Sequence, residues 1–441
     1  MRMTQAVLPL FEPTKTNGEA NKIDPIDLPV HDWYRFVLSF PPHLVREYIR
    51  RFELDKCSVL LDPFCGTGTA IVECQKMGFS AVGVEALPMP SFASKVKTCW
   101  SVDPHSLIRH ASLLAEQTLD ELRKQGIPDD PAFPVHIAMQ NVRTLPAEAF
   151  CLLLKDSISP LPLHKTLVLL DNILRGGDNP FRDQELLALA KALVTSIGNL
   201  KFGPEVGIGK LKDNTFVVQP WLTNVRRMAK DLESLSVHTW QQANIYHADS
   251  RDISSVLGPN SIDAVFTSPP YPNEKDYTRT TRLETVVLGL AHSMTDLRNS
   301  KRTLVRSNTR SVYKSDEDDG FIKHNSTIQK IAKEIEERRL EMGKTSGFER
   351  LYHRVTKLYF GGMARHLSSL RTILRPGALL GYVVGDQASY LRVMIRTGHI
   401  LAELAESLGY SVEAIDLFRT RLATATREQL REEVLMLRWP G

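Results

Sequence analysis

Ser58-Val59-Leu60-Leu61-Asp62-Pro63-Phe64-Cys65-Gly66-Thr67-Gly68-Thr69 begins as a short apolar run, breaks at Asp-Pro and passes through two glycines. Ala70 to Met77 continues with helical periodicity, and Ala81 to Val84 is a second apolar run closed by Glu85. Strand, glycine turn, helix and strand within about thirty residues form the repeating unit of a doubly wound parallel sheet. Gly66 and Gly68 let the backbone bend and approach a ligand closely. An acidic residue ending the next strand, here Glu85, is placed to take ribose hydroxyls. The turn lacks the third glycine of a dinucleotide fingerprint, and no lysine follows Gly68 as a phosphate loop requires. These residues suit a nucleoside without phosphate better than a pyrophosphate.

About two hundred residues later, the apolar run Ile262-Asp263-Ala264-Val265-Phe266 ends in Thr267-Ser268-Pro269-Pro270-Tyr271. Two prolines fix φ near −65° and stiffen the loop at a strand tip, with a hydroxyl before them and an aromatic ring after them. Taken together, the two motifs resemble the two halves of an S-adenosylmethionine-dependent DNA amino-methyltransferase of the N4-cytosine/N6-adenine type. Gly83-Val84-Glu85 and Ala93-Ser94-Lys95-Val96-Lys97-Thr98 are similar to that family's continuation. His31-Asp32-Trp33-Tyr34 and Phe40-Pro41-Pro42-His43-Leu44-Val45 resemble the segment it places ahead of the glycine turn. Ala86-Leu87 departs from the Ile/Val-Asn more usual after the acidic residue.

The resemblance implies a class I methyltransferase fold: an α/β, Rossmann-like doubly wound sheet. It implies S-adenosyl-L-methionine as cofactor, with Phe64, Gly66, Gly68 and Thr69 at the methionine and sulfonium end. Asp62 and Tyr34 join the cofactor-binding set, Glu85 holds the ribose, and the Trp33–Pro42 stretch helps close the pocket. Asp249 sits where the family contacts the adenine amino group, although its spacing also suits a helix N-cap.

The catalytic residues implied are Ser268, Pro269, Pro270 and Tyr271. The lone pair of a base amine is delocalised into the ring. Acceptors on its two N–H hydrogens, Ser268 Oγ and the Pro269 carbonyl, draw the nitrogen towards tetrahedral geometry. Tyr271 stacks on the extruded base. Ser-Pro-Pro-Tyr resembles the N4-cytosine type, whereas Asn/Asp-Pro-Pro-Tyr more often accompanies N6-adenine enzymes. Methylation at cytosine C5 needs a cysteine after proline, and no Pro-Cys occurs.

Seven strands are expected, near 58–61, 81–84, 243–246, 262–266, 378–384, 412–417 and 433–437. Helices are expected at 44–52, 106–125, 184–196, 327–340 and 350–374. Residues 1–25 read as a flexible arm, and 26–100 with 241–441 as the catalytic domain. Residues 101–240 form a mainly helical insertion and a candidate target-recognition region, and 293–346 is a polar, basic insertion. Between Arg298 and Lys314 lie six cations and no acid. Lys301, Arg302, Arg306 and Arg310 in that stretch, with Arg279 and Arg282 after the catalytic motif, are candidate DNA contacts. Asp316–Asp319 reads as a solvated turn, since the chemistry needs no metal.

The chain has 441 residues, 42% hydrophobic and 24% charged, with net charge +4. Its apolar runs fall far short of a membrane span, and the start is too weakly apolar for a signal peptide. Five cysteines make no CxxC pair, so a reducing cytoplasm is expected. Double-stranded DNA and a cognate restriction endonuclease are the expected partners, without membrane or metal. An RNA base-amino methyltransferase and an inactive nucleic-acid-binding subunit are the alternatives.

Overall fold

The computed structural model describes residues 23–35, 39–134, 142–175, 177, 179–203, 205–235, 240–273, 275–422 and 428–441. Most of the expected arm at 1–25 lies outside these residues.

Among the described residues nine strands are formed: β1 (Val59–Asp62), β2 (Ser80–Glu85), β3 (Leu200–Phe202), β4 (Val206–Ile208), β5 (Ala243–His247), β6 (Ile262–Thr267), β7 (Leu374–Gly385), β8 (Ser411–Leu422) and β9 (Gln429–Arg438). Seven make one sheet in the order β5-β2-β1-β6-β7-β9-β8, and β3 and β4 pair separately. β5, β2, β1, β6 and β7 run parallel, and β9 inserts antiparallel between β7 and β8. This is the Rossmann-like methyltransferase sheet, and all seven expected strands are present.

Both faces of the sheet are covered, which is why its strands are apolar on successive residues. On β6, Ala264 and Phe266 pack with α1 (Pro42–Arg51) and α2 (Thr69–Lys76). Ile262 and Val265 face the opposite core. Tyr48 of α1 stacks on Phe266 at 5.2 Å between ring centroids, seating that helix on the central strand. α3 (Pro88–Lys97) follows β2.

The expected helical insertion holds α4 (Pro104–Lys124), α5 (Pro160–Arg175), α6 (Arg182–Ala192) and α7 (Val218–Leu235). Its apolar core is continuous with Val72 of α2, Met89 and Ala93 of α3, and Leu283 of α8 (Arg282–Val287). The N-terminal segment is clamped against it, because Asp231 of α7 accepts from the Val30 amide and the Trp33 indole. The β3–β4 hairpin inside the insertion has no counterpart in the expected strands.

After β6 come α8, α9 (Met294–Arg302), α10 (Ser326–Glu341), α11 (Tyr352–Leu370), β7 and α12 (Thr397–Ser407). Two expectations here need correction. The helix expected to reach 374 stops at Leu370, and Leu374 already opens β7. The basic stretch from Arg298 begins as α9, started by a Ser293–Asp296 capping box, and then packs inward. Among the described residues no helix is long and apolar enough to cross a membrane.

Candidate active site

Strand order reverses between β1 and β6, and ligands of such sheets bind beyond the carboxyl ends of the strands at that point. Leu61 is in register with Val265, so the Asp62–Thr69 turn and the Thr267–Tyr271 loop leave adjacent strand tips. The two motifs therefore border one cleft.

The glycine turn is held tightly from below and open above. Gly68 adopts φ +83, and a Cβ there would stand 2.9 Å from Ser94 Oγ. Ser94 Oγ in turn donates to the Gly66 carbonyl at 2.8 Å. Among the described residues nothing stands within 4 Å of where a Cβ on Gly66, at φ +51, would be. Of the turn residues only Phe64 and Gly66 keep some exposure; Asp62 and Thr69 are buried. Phe64 rests edge-on against His366 with centroids 4.8 Å apart.

His366 is fully buried, with Nδ1 2.7 Å from the Ser250 carbonyl and Nε2 2.8 Å from the Tyr382 hydroxyl. A carbonyl can only accept, so Nδ1 carries the proton and Tyr382 donates to Nε2. Burial takes this imidazole down to about 4, which keeps it neutral.

Glu85 ends β2 beside the turn. Its two carboxylate oxygens accept from the Gly66 amide at 2.9 Å and the Leu87 amide at 2.8 Å. Burial nevertheless pushes its carboxyl up to about 7. The open space over Gly66, the half-exposed Phe64 ring and this carboxylate fit a nucleoside cofactor. No cation stands in the turn to meet a phosphate.

In the second motif, Ser268 Oγ donates to the Val383 carbonyl at 3.1 Å. Its proton is thereby committed, so Oγ faces the Tyr271 hydroxyl and any further donor as an acceptor. Tyr271 is half-buried, its hydroxyl within reach of Ser268. Burial, with the nearby Glu432 carboxylate, raises the phenol pKa. The loop is braced by Asn308, whose Nδ2 donates to the Lys275 carbonyl at 2.9 Å.

Other expected site residues are placed differently. Tyr34 is buried in the helical core, and its hydroxyl donates to Glu284; Trp33 is buried too. Phe36, Val37 and Leu38 of the expected closing stretch lie outside the described residues. Asp62 is fully buried and turned to Thr267 and the Phe64 amide rather than to the cleft. Asp249 caps the 3₁₀ turn Ser250–Ser255 and pairs with Arg251 at 2.6 Å.

Among the expected DNA contacts, Arg306 is 3% exposed and spent internally. It pairs with Asp316 at 2.8 Å and donates to the carbonyls of Lys301, Arg302 and Leu304. Lys301 pairs with Asp276 at 3.0 Å, and Arg282 donates to the Leu152 and Thr278 carbonyls. Arg279 is half-buried, whereas Arg302 and Arg310 are exposed. Asp316–Asp319 is not a solvated turn, because Asp318 receives Arg251 and Arg365 at 2.6 and 3.2 Å.

Sequence reasoning misses His366, Tyr382 and Gly385. Gly385 is within reach of the strand-tip rule, since it ends β7 beside the catalytic loop.

No protein-family model matches the chain. It is similar to the Type II methyltransferase M.AvaI of Nostoc sp., 25% identical over 93% of this chain and 87% of that protein. The M.AvaI of Anabaena variabilis matches to the same extent. The Type II methyltransferase M.BsoBI of Geobacillus stearothermophilus is 23% identical over 90% of this chain and 82% of its own. Relatives of this kind across nearly the whole chain, with the sheet order, support a methyltransferase.

Proposed function

We propose that this chain is a site-specific DNA methyltransferase of a restriction–modification system, transferring a methyl group from S-adenosyl-L-methionine to N4 of cytosine. The observation that carries the reading is the meeting of the Phe64–Gly68 turn and the Ser268–Tyr271 loop at one switch point. The full-length likeness to Type II methyltransferases supports the class of substrate.

When bound, S-adenosyl-L-methionine supplies an activated methyl group on sulfur. Phe64, Gly66 and Glu85 are the residues placed to hold it, with Asp249 at the neighbouring strand tip. Ser268 Oγ and the Pro269 carbonyl accept from the target amine. This withdraws its hydrogens from the ring plane and frees the lone pair for attack. The acceptors matter most as the nitrogen becomes tetrahedral, so they lower the barrier more than they add affinity. Tyr271 takes one face of the extruded base.

For DNA reading the β3–β4 hairpin is the best-placed part of the insertion. Glu205, at its turn, lies 4.0 Å from Arg310. Lys275 of the catalytic loop is lowered mainly by burial, with Glu205 and Glu432 opposing. The hairpin tip therefore stands beside Arg310 of the basic stretch. A two-stranded ribbon fits the major groove. Lys201 on β3 and Lys210, two residues past β4, are exposed.

Methyl transfer from labelled cofactor to duplex DNA, single-stranded DNA and RNA, followed by nucleoside analysis, tests the proposal. N4-methylcytosine in duplex DNA is expected. N6-methyladenine would reassign the amine, and label only in RNA would overturn the DNA reading.

A further inference from the structure

The last residues of β1 and β6 meet side by side beneath the cleft. Thr267 Oγ1 donates to Asp62 Oδ1 at 2.6 Å, and both residues are fully buried. The same Oδ1 accepts the Phe64 amide at 3.1 Å. One carboxylate oxygen thus holds two things at once: the start of the glycine turn and the residue immediately before Ser268.

From this geometry we infer that Asp62 and Thr267 form a strut that sets the distance between the cofactor turn and the amine-accepting loop. They are positioning residues; neither touches the cofactor. The inference rests on the proposed methyl-transfer reading of the two loops.

Three further contacts make the strut rigid. Glu85 ties the other side of the turn through the Gly66 amide, 2.9 Å away. Ser268 Oγ is tied to β7 through the Val383 carbonyl. Gly83 lets Cys65 lie against the strand, since a Cβ there would stand 2.9 Å from Cys65 Sγ. Each loop is therefore fastened to an outer neighbour, and Asp62–Thr267 is the side-chain bond that fastens them to each other.

The strut needs a hydroxyl at position 267. Valine has the same shape but no donor, and it would leave Asp62 Oδ1 with the Phe64 amide alone. Among the described residues, Asp62 Oδ2 already has no hydrogen-bond partner in its buried site. Burial brings the carboxyl up to about 7. A group so poorly solvated is costly to keep, and its retention between two loops fits a geometric role.

Thr267→Val, Thr267→Ser, Asp62→Asn and the double variant Asp62→Asn/Thr267→Val test this against the parent protein. Cofactor dissociation constants come from calorimetry and turnover from single-turnover methyl transfer. Melting temperatures supply a readout independent of activity.

Thr267→Val is expected to keep cofactor affinity within about threefold while turnover falls on the order of 10-fold to 100-fold, as a misplaced reacting group costs. Thr267→Ser should recover most of the rate. The melting shifts of Asp62→Asn and Thr267→Val should fail to add in the double variant, as they must for partners in one bond.

The strut is overturned if Thr267→Val turns over at the parental rate, or if the melting shifts add. It is equally overturned if Asp62→Asn weakens cofactor binding tenfold while Thr267→Val leaves it alone, since Asp62 would then be a cofactor contact. A parent protein that binds cofactor but methylates no DNA overturns the proposed function instead. The melting cycle would still decide whether the strut exists.

Discussion

Gly385, the last residue of β7, lies directly against the ring of Tyr271. A Cβ on Gly385 would stand 3.0 Å from Tyr271 Cε2 and 3.3 Å from Glu432 Cγ. The glycine is not in the left-handed region, so alanine meets no backbone penalty there. What alanine would change is the seat of the aromatic ring. Gly385→Ala is expected to leave cofactor affinity unchanged and to weaken base capture by roughly 1 kcal/mol, part of a stacking contribution. The KM for DNA, with calorimetry for the cofactor, checks this. An unchanged KM would mean that Tyr271 leaves this seat when DNA binds.

Burial poises Glu85 near neutrality. Its carboxyl is raised to about 7 by burial, so the free protein holds that proton more tightly than an unfolded chain does. The raised value therefore costs folding stability as pH rises through about 7. Ribose hydroxyls favour the ionised form, so cofactor affinity should move the opposite way and improve from about pH 6 to about pH 8. In Glu85→Gln that pH dependence should vanish. Glu85→Ala should lose on the order of 1.5–3 kcal/mol of cofactor binding. Calorimetry across this range, on all three proteins, decides it.

How far the sequence reaches can be judged from particular elements. β1 and β6 are short apolar runs closed by Asp-Pro and Ser-Pro-Pro, so pattern and punctuation agree and their tips are readable. α5 escapes the sequence pattern because it is apolar and buried nearly all round, whereas α7 does carry a helical period, with Val218, Trp221, Val225, Met228, Leu232 and Leu235 buried, and is missed despite it. β3 (Leu-Lys-Phe) and β4 (Val-Gly-Ile) do alternate, but at three residues each they are too short to show a period. Arg306 misleads for a different reason. A cation-rich stretch looks solvated, but its acid partner, Asp316, lies just beyond the stretch. Resemblance alone assigns Tyr34 to the pocket. Only the fold reveals that Glu284, 250 residues away in sequence, receives its hydroxyl.

The contrast between the internally spent Arg306 and the exposed Lys201 and Lys210 gives an opposed pair of outcomes. Removing Lys201 and Lys210 together should weaken DNA binding and flatten its salt dependence, by about 0.9 in the log–log slope for each phosphate no longer neutralised. Arg306→Ala should leave the slope alone and lower stability instead, by roughly 3–5 kcal/mol, because Asp316 would be left buried without its partner. Fluorescence anisotropy at several salt concentrations and urea unfolding separate the two effects.

The contact that holds the N-terminal segment to α2 should be acid-sensitive. His31 Nε2 donates to Glu73 Oε1 at 2.7 Å, and Arg46 and Lys76 also pair with Glu73. Burial takes His31 down to about 4 despite Glu73. Burial opposes ionisation of Glu73, but His31, Lys76 and Arg46 together bring it down to about 2. An imidazole kept neutral costs stability once the unfolded chain takes up its proton, so stability should fall as pH drops from 6.5 through about 4. The Glu73 contribution is present above 4.5 and is lost as pH falls through about 2. Glu73→Ala should cost on the order of 3–5 kcal/mol near neutrality. Urea midpoints at several pH values test both slopes.

The sharpest prediction concerns the amine acceptor. Ser268 Oγ already gives its proton to the Val383 carbonyl, so Ser268→Ala removes an acceptor and leaves Pro269, Pro270 and Tyr271 in place. The bond it would make grows stronger as the nitrogen becomes tetrahedral. Its loss should therefore lower the rate of methyl transfer, by roughly 1.5–3 kcal/mol for a bond to a charge-developing group, with little effect on DNA or cofactor affinity. Tyr271→Ala should do the reverse and lose about 1–3 kcal/mol of base capture. Single-turnover rates at saturating cofactor, measured over a range of DNA concentrations, separate the plateau from the half-saturation point. A Ser268→Ala protein that reached the parental plateau would remove this hydroxyl from the chemistry, because the proposed mechanism asks it to accept from the amine as the new bond forms.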